Sequence, residues 1–176
     1  MAQSENHDEA AHDSQSRVVD SDALLAKVLT VSDGVVAGDR EDRSGAALVS
    51  SLTSAGFEVV EHRVVADGVS SVAESLSEMI SDFAGLIITT GGTGFTERDL
   101  TPEGTLQVIE RSAPGIAEAM RLTNPLGRLS RGVAGIAGKT IILNTPGSTA
   151  GCVGCFEAVA DVLPHALRLL HGERLH

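Results

Sequence analysis

The chain has 176 residues, of which 42% are hydrophobic and 21% are charged, the composition of an ordinary globular domain with a sizeable core. Its formal net charge is −11 with neutral histidines, so we expect no long-range attraction to nucleic acid or to an anionic membrane. Only 2% of the residues are aromatic, which argues against base stacking. The sequence contains neither an apolar stretch of membrane-spanning length nor a basic-then-apolar signal pattern, and we therefore expect a cytoplasmic protein.

The first part of the chain differs in composition from the rest. Residues 1–22 carry six acidic side chains, one arginine and almost no large apolar residues. A segment of this kind cannot bury enough apolar surface to offset the entropy of ordering. We predict a disordered acidic tail over residues 1–22 and a single globular domain over residues 23–176.

Short apolar runs alternate with amphipathic stretches along the remaining chain. The runs predict strands, and apolar residues spaced by three and four predict helices. The predicted strands are 23–32, 57–66, 86–90 and 139–143, and the predicted helices are 44–55 (capped by Ser44), 69–83, 101–113, 116–123 and 152–170. Glu61, His62 and Arg63 place the second strand near a sheet edge, and Pro164 predicts a break in the last helix near Asp161.

This order of elements predicts an α/β fold of three layers, α/β/α, around a mostly parallel sheet. In such sheets ligands bind beyond the carboxyl ends of the strands. Four loops rich in Asp, Ser and Gly should meet there, namely 32–33, 67–68, 91–99 and 144–148. The sequence therefore predicts one functional site that is built from these four loops.

The segment 85–103 carries the strongest local signal. An apolar run ends at Gly91–Gly94, where missing Cβ atoms permit positive φ and close approach of a ligand. Thr101 and Pro102 have the pattern of an N-cap and a first helical residue. Strand, loop and helix start together predict free backbone N–H groups that suit a phosphate, with Asp99 placed to hold a cation beside it.

The glycine loop differs from two common phosphate loops. The third glycine of a dinucleotide fingerprint would fall on Glu97, and no Gly-Lys-Ser/Thr follows. A tight turn without a ligand is the alternative that this pattern leaves open.

Five motifs occur in order between residues 27 and 172. They are Val-Ser-Asp (31–33) with Asp-Arg-Ser-Gly (42–45), Gly-Gly-Thr-Gly-Phe-Thr-Glu-Arg-Asp-Leu-Thr-Pro-Glu (91–103), Pro-Gly (114–115), Leu-Ser-Arg (129–131) and Asn-Thr-Pro-Gly (144–147). In this combination the chain resembles the molybdopterin adenylyltransferase family, meaning the MogA and MoaB proteins and the G domains of plant and animal molybdenum-cofactor enzymes. The resemblance implies a molybdopterin-binding α/β domain that forms a homotrimer or a hexamer, with the molybdenum insertase as a partner and no role for nucleic acid or membrane.

The resemblance also implies a reaction and the residues that serve it. AMP would pass from Mg·ATP, the co-substrate, to the terminal phosphate of molybdopterin, the substrate, with release of pyrophosphate. Asp67 and Asp99 match the catalytic carboxylates that hold Mg²⁺. The substrate-binding positions that it implies are Ser32, Asp33, Gly91, Gly92, Thr93, Gly94, Thr101, Ser130, Asn144, Pro146, Gly147 and Ser148. The next position is Thr149, where Pro is common in the family.

A phosphate monoester is ionised at neutral pH, so adenylyl transfer needs no strong general base, and the residues present are compatible with catalysis.

Two other functions stay open from the sequence. A MoaB-like protein that binds the pterin or assembles with partners without catalysis is the first alternative. The second is a thiol-redox protein that uses Cys152 and Cys155, which lie near a predicted helix start.

Overall fold

The computed structural model describes residues 23–172, so the predicted acidic tail lies outside the described residues. The strands are β1 (Leu24–Val31), β2 (Phe57–Val65), β3 (Gly85–Thr90), β4 (Arg111–Ser112), β5 (Ala134–Ala137) and β6 (Thr140–Thr145). The helices are α1 (Asp33–Val36), α2 (Arg43–Ser54), α3 (Val69–Ile80), α4 (Thr101–Leu106), α5 (Pro114–Arg121), a 3₁₀ helix (Pro125–Leu129), α6 (Thr149–Glu157) and α7 (Leu163–Leu170).

The strands form one six-stranded sheet in the order β2-β1-β3-β6-β5-β4. Strands β2, β1, β3 and β6 are parallel to one another, whereas β5 is antiparallel to β6 and β4 is antiparallel to β5. Apolar clusters cover both faces of the sheet: α2, α5, α6 and α7 pack on one face and α3 on the other. This arrangement confirms the predicted three-layer α/β fold with a mostly parallel sheet.

The central strands explain why the core is stable and where the site lies. All six residues of β3 and all six of β6 are buried, as expected for parallel strands that are covered by helices on both faces. At their carboxyl ends, Thr30 of β1 pairs with Thr90 of β3, and Thr90 pairs with Thr145 of β6. The parallel register thus brings the loops that follow three strands to one edge of the sheet.

Several predicted elements differ from the structure. The helix predicted to continue to residue 113 ends at Leu106, and β4 and β5, which were not predicted, form the antiparallel edge. Three of the four residues of β5 are Ala or Gly, and at Gly135 the reason is a close neighbour: a Cβ there would stand 2.8 Å from Cδ1 of Ile109. The prediction from periodicity was wrong here, because a strand with small side chains lacks the bulky β-branched signal.

Helix ends show a second set of differences. Asp42, and not the predicted Ser44, caps α2 through a 2.8 Å hydrogen bond that Gly45 N donates to its Oδ1. The predicted final helix is divided into α6 and α7, and Pro164 lies in the first turn of α7. The break expected near Asp161 is confirmed, because proline is tolerated at a helix start and not in its interior. No helix within residues 23–172 is long and apolar enough to cross a membrane.

The two cysteines are parts of the core. Cys152 and Cys155 lie on α6, are buried and form no disulfide. The Cys152 thiol contacts the carbonyl oxygen of Thr149 at 3.2 Å, and the Cys155 thiol contacts that of Met120 at 3.6 Å. Burial is the largest influence on both and raises the pKa of each thiol, which opposes the redox role.

We expect both cysteines to be unreactive in the folded protein. The thiolate is the reactive form, and a raised pKa lowers its fraction at neutral pH, so labelling by a thiol reagent should be much slower in the native protein than in urea. The labelling rate at a pH of about 7.5, with and without denaturant, measures this. Rapid labelling of the native protein would contradict the assignment of both thiols to the core.

Candidate active site

The candidate site lies at the carboxyl ends of β1, β2, β3 and β6, where the sequence predicted it. Its best-defined feature is an exchange of hydrogen bonds between two loops. Asp33 N donates to Oδ2 of Asp67 at 2.8 Å, and Asp67 N donates to Oδ1 of Asp33 at 3.0 Å. Each aspartate therefore fixes the backbone of the other, and the loop after β1 is held to the loop after β2.

Arg98, from the loop after β3, completes this contact. Its guanidinium donates to both carboxylate oxygens of Asp33 at 3.0 Å and to the carbonyl oxygen of Asp67 at 2.6 Å. The hydrogen bond from Arg98 is the main reason that the pKa of the Asp33 carboxyl is lowered. Asp33 thus faces Arg98 and Asp67 within the protein, and its predicted contact with substrate stays a prediction.

The surroundings of Asp67 disfavour its charged form. Burial is the main cause that raises the pKa of Asp67, and the negative charges of Asp33 and Asp99 raise it further. Its Oδ2 accepts the Asp33 N–H, whereas Oδ1 has no hydrogen-bond donor among the described residues. A cation at Oδ1 would relieve the repulsion among the three carboxylates.

Asp99 is arranged in the same way. Its Oδ2 accepts a 2.8 Å hydrogen bond from Thr96 N, and Oδ1 has no donor within residues 23–172. Each of the two predicted metal-holding aspartates therefore has one oxygen that is oriented by a backbone N–H and one that is unengaged. Such orientation of a carboxylate by its outer partners is typical of metal sites.

The residues fit Mg²⁺ better than a metal that needs several protein ligands. The described residues contain no group of three or more His, Cys, Asp or Glu side chains arranged to hold a metal ion. Mg²⁺ commonly uses one or two carboxylates together with substrate phosphates and water. Asp67 and Asp99 supply that number, with the oxygen ligands that Mg²⁺ prefers.

The glycine loop makes room for these carboxylates. Gly91 and Gly92 have positive φ angles of 101° and 63°, which other residues rarely adopt. A Cβ at Gly92 would lie 3.1 Å from Oδ1 of Asp67, and one at Gly94 would lie 2.9 Å from Oδ2 of Asp99. The glycines thus serve the close packing of loops, in addition to the ligand approach that the sequence predicted.

The same loop offers unpaired backbone donors. Among the described residues, the N–H groups of Gly92, Thr93 and Gly94 have no hydrogen-bond acceptor, and the same holds for Gly147 and Ser148. Ser148 caps α6, and its side chain accepts from Gly151 N. Two runs of free N–H groups therefore face the site, and one of them ends at a helix N-terminus, which favours a bound anion.

Two residues that were predicted to bind substrate form hydrogen bonds within the protein, and their contact with substrate stays a prediction. Thr101 is fully buried, donates its N–H to Gly92 O and its hydroxyl to Gly91 O, and does not cap α4, whose N-cap is Leu100. The Asn144 amide donates to the hydroxyls of Thr89 and Thr105 and accepts from Val133 N. Thr101 supports the glycine loop from below, and the Asn144 side chain ties β6 to its neighbours.

Arg131 fixes the other side of the glycine loop. Its guanidinium donates to Gly94 O at 2.7 Å, to Asp99 O and to the Glu103 carboxylate, and its N–H donates to Thr93 O. The hydrogen bond from Arg131 lowers the pKa of Glu103. Because these groups hold Arg131 within the protein, the arginine orders the loop.

A pocket of about 390 Å³ lies between the glycine loop and α5, and we call it the α5 pocket. The predicted residues in its wall are Thr93, Gly94, Asp99, Ser130, Asn144, Pro146, Gly147 and Ser148. Sequence reasoning missed the rest of the wall. Most of it comes from α5, the 3₁₀ helix and the residues between them, including Met120, Asn124, Leu126 and Leu129, and α6 adds Gly151 and Cys155. The Asn-Pro-Leu-Gly sequence at residues 124–127, just after the predicted helix 116–123, is the available signal, but by itself it indicates only a turn.

A second pocket of about 510 Å³ lies against α2, and we call it the α2 pocket. The predicted residues Ser32, Asp67, Gly147 and Ser148 contribute to its wall together with Arg40 and Arg43. Thr30 and Asp42 also belong to the wall. The Thr30 hydroxyl donates to Oδ2 of Asp42 at 2.6 Å, and Nε2 of His62 lies 2.8 Å from the same oxygen.

The two pockets are adjacent and share the Gly147–Ser148 turn. Asp99 lies in the wall of the α5 pocket and Asp67 in that of the α2 pocket. Asp33, Gly91, Gly92 and Thr101 belong to neither wall within the described residues. The arrangement can hold two ligands side by side, with a carboxylate beside each and free N–H groups at the shared turn.

Comparisons with known proteins agree with this architecture. A family model described as a probable molybdopterin binding domain matches residues 27–165. The chain is 38% identical over 152 residues to a molybdopterin adenylyltransferase of Helicobacter pylori strain J99, over 82% of this chain and 86% of that protein. It is 33% identical over 169 residues to the molybdopterin adenylyltransferase of Escherichia coli K12, over 85% of this chain and 86% of that one.

A solved structure shows the same fold. The chain superposes on the molybdopterin biosynthesis enzyme MoaB of Thermus thermophilus with a TM-score of 0.80 at 41% identity, over 87% of this chain and 99% of that one. Family model, relatives and structure thus support the resemblance that the five motifs carry. The chain belongs to the MogA/MoaB family of molybdenum cofactor biosynthesis proteins and contains its molybdopterin-binding domain.

Proposed function

We propose that this protein is a nucleotidyltransferase that moves the adenylyl group of Mg·ATP to the terminal phosphate of molybdopterin and releases pyrophosphate. The observation that carries the proposal is the pair of adjacent pockets that share the Gly147–Ser148 turn, each with one of the aspartates Asp67 and Asp99 in its wall. A product made of two joined ligands needs such a pair of sites. The Helicobacter and Escherichia relatives are named as molybdopterin adenylyltransferases, which supports the same activity.

The chemistry fits the groups that are present. The attacking phosphate of molybdopterin is ionised at neutral pH, so the protein does not have to remove a proton. Its task is to bring two anions together and to neutralise charge during an in-line transfer. The free N–H groups of residues 92–94 and 147–148 can contact phosphate oxygens without deprotonation or rearrangement.

Mg²⁺ would be held by the unengaged oxygens of Asp67 and Asp99. The ion supplies charge neutralisation of the nucleotide phosphates when it is bound. The residues of the chain do the remaining work: Asp33 and Thr96 orient the two carboxylates through their N–H groups, and the glycines leave space for both.

Charge assigns the two ligands to the two pockets. Arg40 and Arg43 lie in the wall of the α2 pocket, whereas Arg121 in the α5 pocket donates to Gly132 O and is engaged. The Arg40 side chain makes no hydrogen bond or ion pair within the described residues, whereas Arg43 pairs with Glu41 of the same wall at 3.4 Å. We assign ATP to the α2 pocket and the pterin to the α5 pocket, where apolar side chains and backbone amides can surround a heterocycle.

The proposal includes the assembly and location that the resemblance implies. We expect a homotrimer, with a hexamer as the alternative, which works in the cytoplasm and passes its adenylylated product to a molybdenum insertase. A protein that only binds the pterin or assembles with partners is the competing function, and a single assay separates it from the enzyme.

The first test is turnover. The purified full chain, incubated with ATP, Mg²⁺ and molybdopterin, should yield adenylyl-molybdopterin and an equal amount of pyrophosphate, both measured by chromatography. Omission of Mg²⁺ should stop the reaction. Pterin binding without either product would instead assign the protein to the non-catalytic class.

The second test concerns the two carboxylates. Asp67→Asn and Asp99→Asn should each lower kcat about 100-fold or more, because each removes one negative charge that attracts Mg²⁺. Pterin binding should survive in both variants. Asp161→Asn, at an exposed position between α6 and α7, is the matched control and should behave like the wild type. Wild-type rates in both site variants would rule out the metal assignment.

The third test concerns the pocket assignment. Arg40→Gln should raise the KM for ATP about ten-fold through loss of one charged hydrogen bond, and leave the affinity for the pterin unchanged. Steady-state kinetics and pterin fluorescence measure the two effects. A loss of pterin affinity with an unchanged KM for ATP would reverse the assignment of the pockets.

A further inference from the structure

Arg98 and Asp33 form a contact that the proposed reaction leaves unexplained. Arg98 lies next to Asp99 in sequence, yet its side chain turns to the loops after β1 and β2. Asp33 and Asp67 are 34 residues apart, and Arg98 and Asp33 are 65 residues apart. A contact that joins three separate loops beside the two proposed metal-holding carboxylates is a candidate for control of their geometry.

The donors and acceptors in this contact are nearly all used. The Nε and Nη2 atoms of Arg98 donate to Asp33, and Nη2 also donates to Asp67 O. Both oxygens of Asp33 accept from Arg98, and Oδ1 accepts from Asp67 N as well. A bidentate arginine–carboxylate pair of this kind fixes orientation as well as charge.

The consequence for Asp67 is a fixed rotamer. Its N–H and its C=O are both held by the Asp33–Arg98 pair, and its Oδ2 is held by Asp33 N. Oδ1 is then directed to the glycine loop, where a Cβ at Gly92 would stand 3.1 Å away. Without the pair, the Asp67 backbone would lose both contacts that hold it, at its N–H and at its C=O, and the carboxylate would keep only the hydrogen bond from Asp33 N.

We propose that Arg98 and Asp33 are positioning residues that hold Oδ1 of Asp67 in place for a divalent cation. This inference rests on the proposed function, since the cation is the one that accompanies ATP. Asp33 thereby acts through Asp67 and not by contact with substrate. A direct contact of Arg98 with a nucleotide phosphate through Nη1 is the competing role.

The two roles predict different effects when Asp33, the partner of Arg98, is substituted. If Arg98 positions Asp67 through Asp33, then Arg98→Gln and Asp33→Asn break the same unit, and the double variant is no worse than either single one. If Arg98 binds phosphate directly, Asp33→Asn frees the guanidinium and does no harm. Arg98→Lys keeps the charge and loses the bidentate geometry, so it should recover only part of the function.

The experiment measures the Mg²⁺ concentration for half-maximal adenylyl transfer, and kcat at saturating Mg²⁺, in the full chain. Arg98→Gln, Asp33→Asn and the double variant should each raise the half-maximal Mg²⁺ concentration about ten-fold, the effect typical of lost outer partners of a metal ligand, with a smaller change in kcat. Arg111→Gln, on the exposed edge strand β4, is the charge-matched control and should leave both values unchanged.

A structural readout accompanies the kinetics. The Asp67 amide should exchange its hydrogen faster in Arg98→Gln and Asp33→Asn than in the wild type or in Arg111→Gln. Its acceptor, Oδ1 of Asp33, is no longer held by Arg98 in the first variant and is changed to a weaker amide oxygen in the second. Circular dichroism melting checks that each variant folds. Arg98→Lys replaces Arg98→Gln if the latter unfolds.

The outcomes separate this inference from the proposed function. If the wild type transfers no AMP, the proposed function fails. The same variants are then compared for their affinity for Mn²⁺ in the presence of ATP, which electron paramagnetic resonance measures. A parallel loss of Mn²⁺ affinity in both single variants then supports the positioning role on its own. Harm from Arg98→Gln alone, additive defects in the double variant, or unchanged cation dependence in both single variants would each overturn it.

Discussion

The hydrogen-bond exchange between Asp33 and Asp67 is the contact on which the candidate site depends. It joins the ends of two parallel strands by two backbone N–H groups that donate to two carboxylates. It leaves a half-buried carboxylate, Asp67, beside two other acids, where a cation is the natural partner.

The arginines near the site mostly serve the protein itself. Arg98 is held by Asp33, Arg131 by Glu103 and loop carbonyls, and Arg121 by Gly132 O. For the proposed reaction, this acidic domain would therefore rely on backbone N–H groups, on Arg40 and on a metal ion. Reliance on backbone donors favours discrimination between ligands, because a fixed N–H group can contact only a ligand whose phosphate lies in the correct place.

Much of the fold followed from local patterns. The apolar run that became β3 and the Pro164 break between α6 and α7 are local features, and the parallel arrangement follows from the alternation of strands and helices. The antiparallel edge formed by β4 and β5 was missed, because small side chains such as Gly135 are required by the proximity of Ile109, a neighbour distant in sequence. The cap of α2 was assigned to Ser44 and not to Asp42, since several residues at one helix start can accept the same bond.

The sequence by itself determined where the site lies: the residues at the carboxyl ends of parallel strands share one edge, and the glycine loop marks that edge. Only the tertiary structure decided what each residue does there. Asp33 contacts Arg98, Thr101 is buried under the glycine loop, and α5 closes the α5 pocket with residues such as Met120 that belong to none of the five motifs. The contacts of Asp33 join residues that are 34 and 65 positions apart, and neither spacing nor composition encodes such pairings.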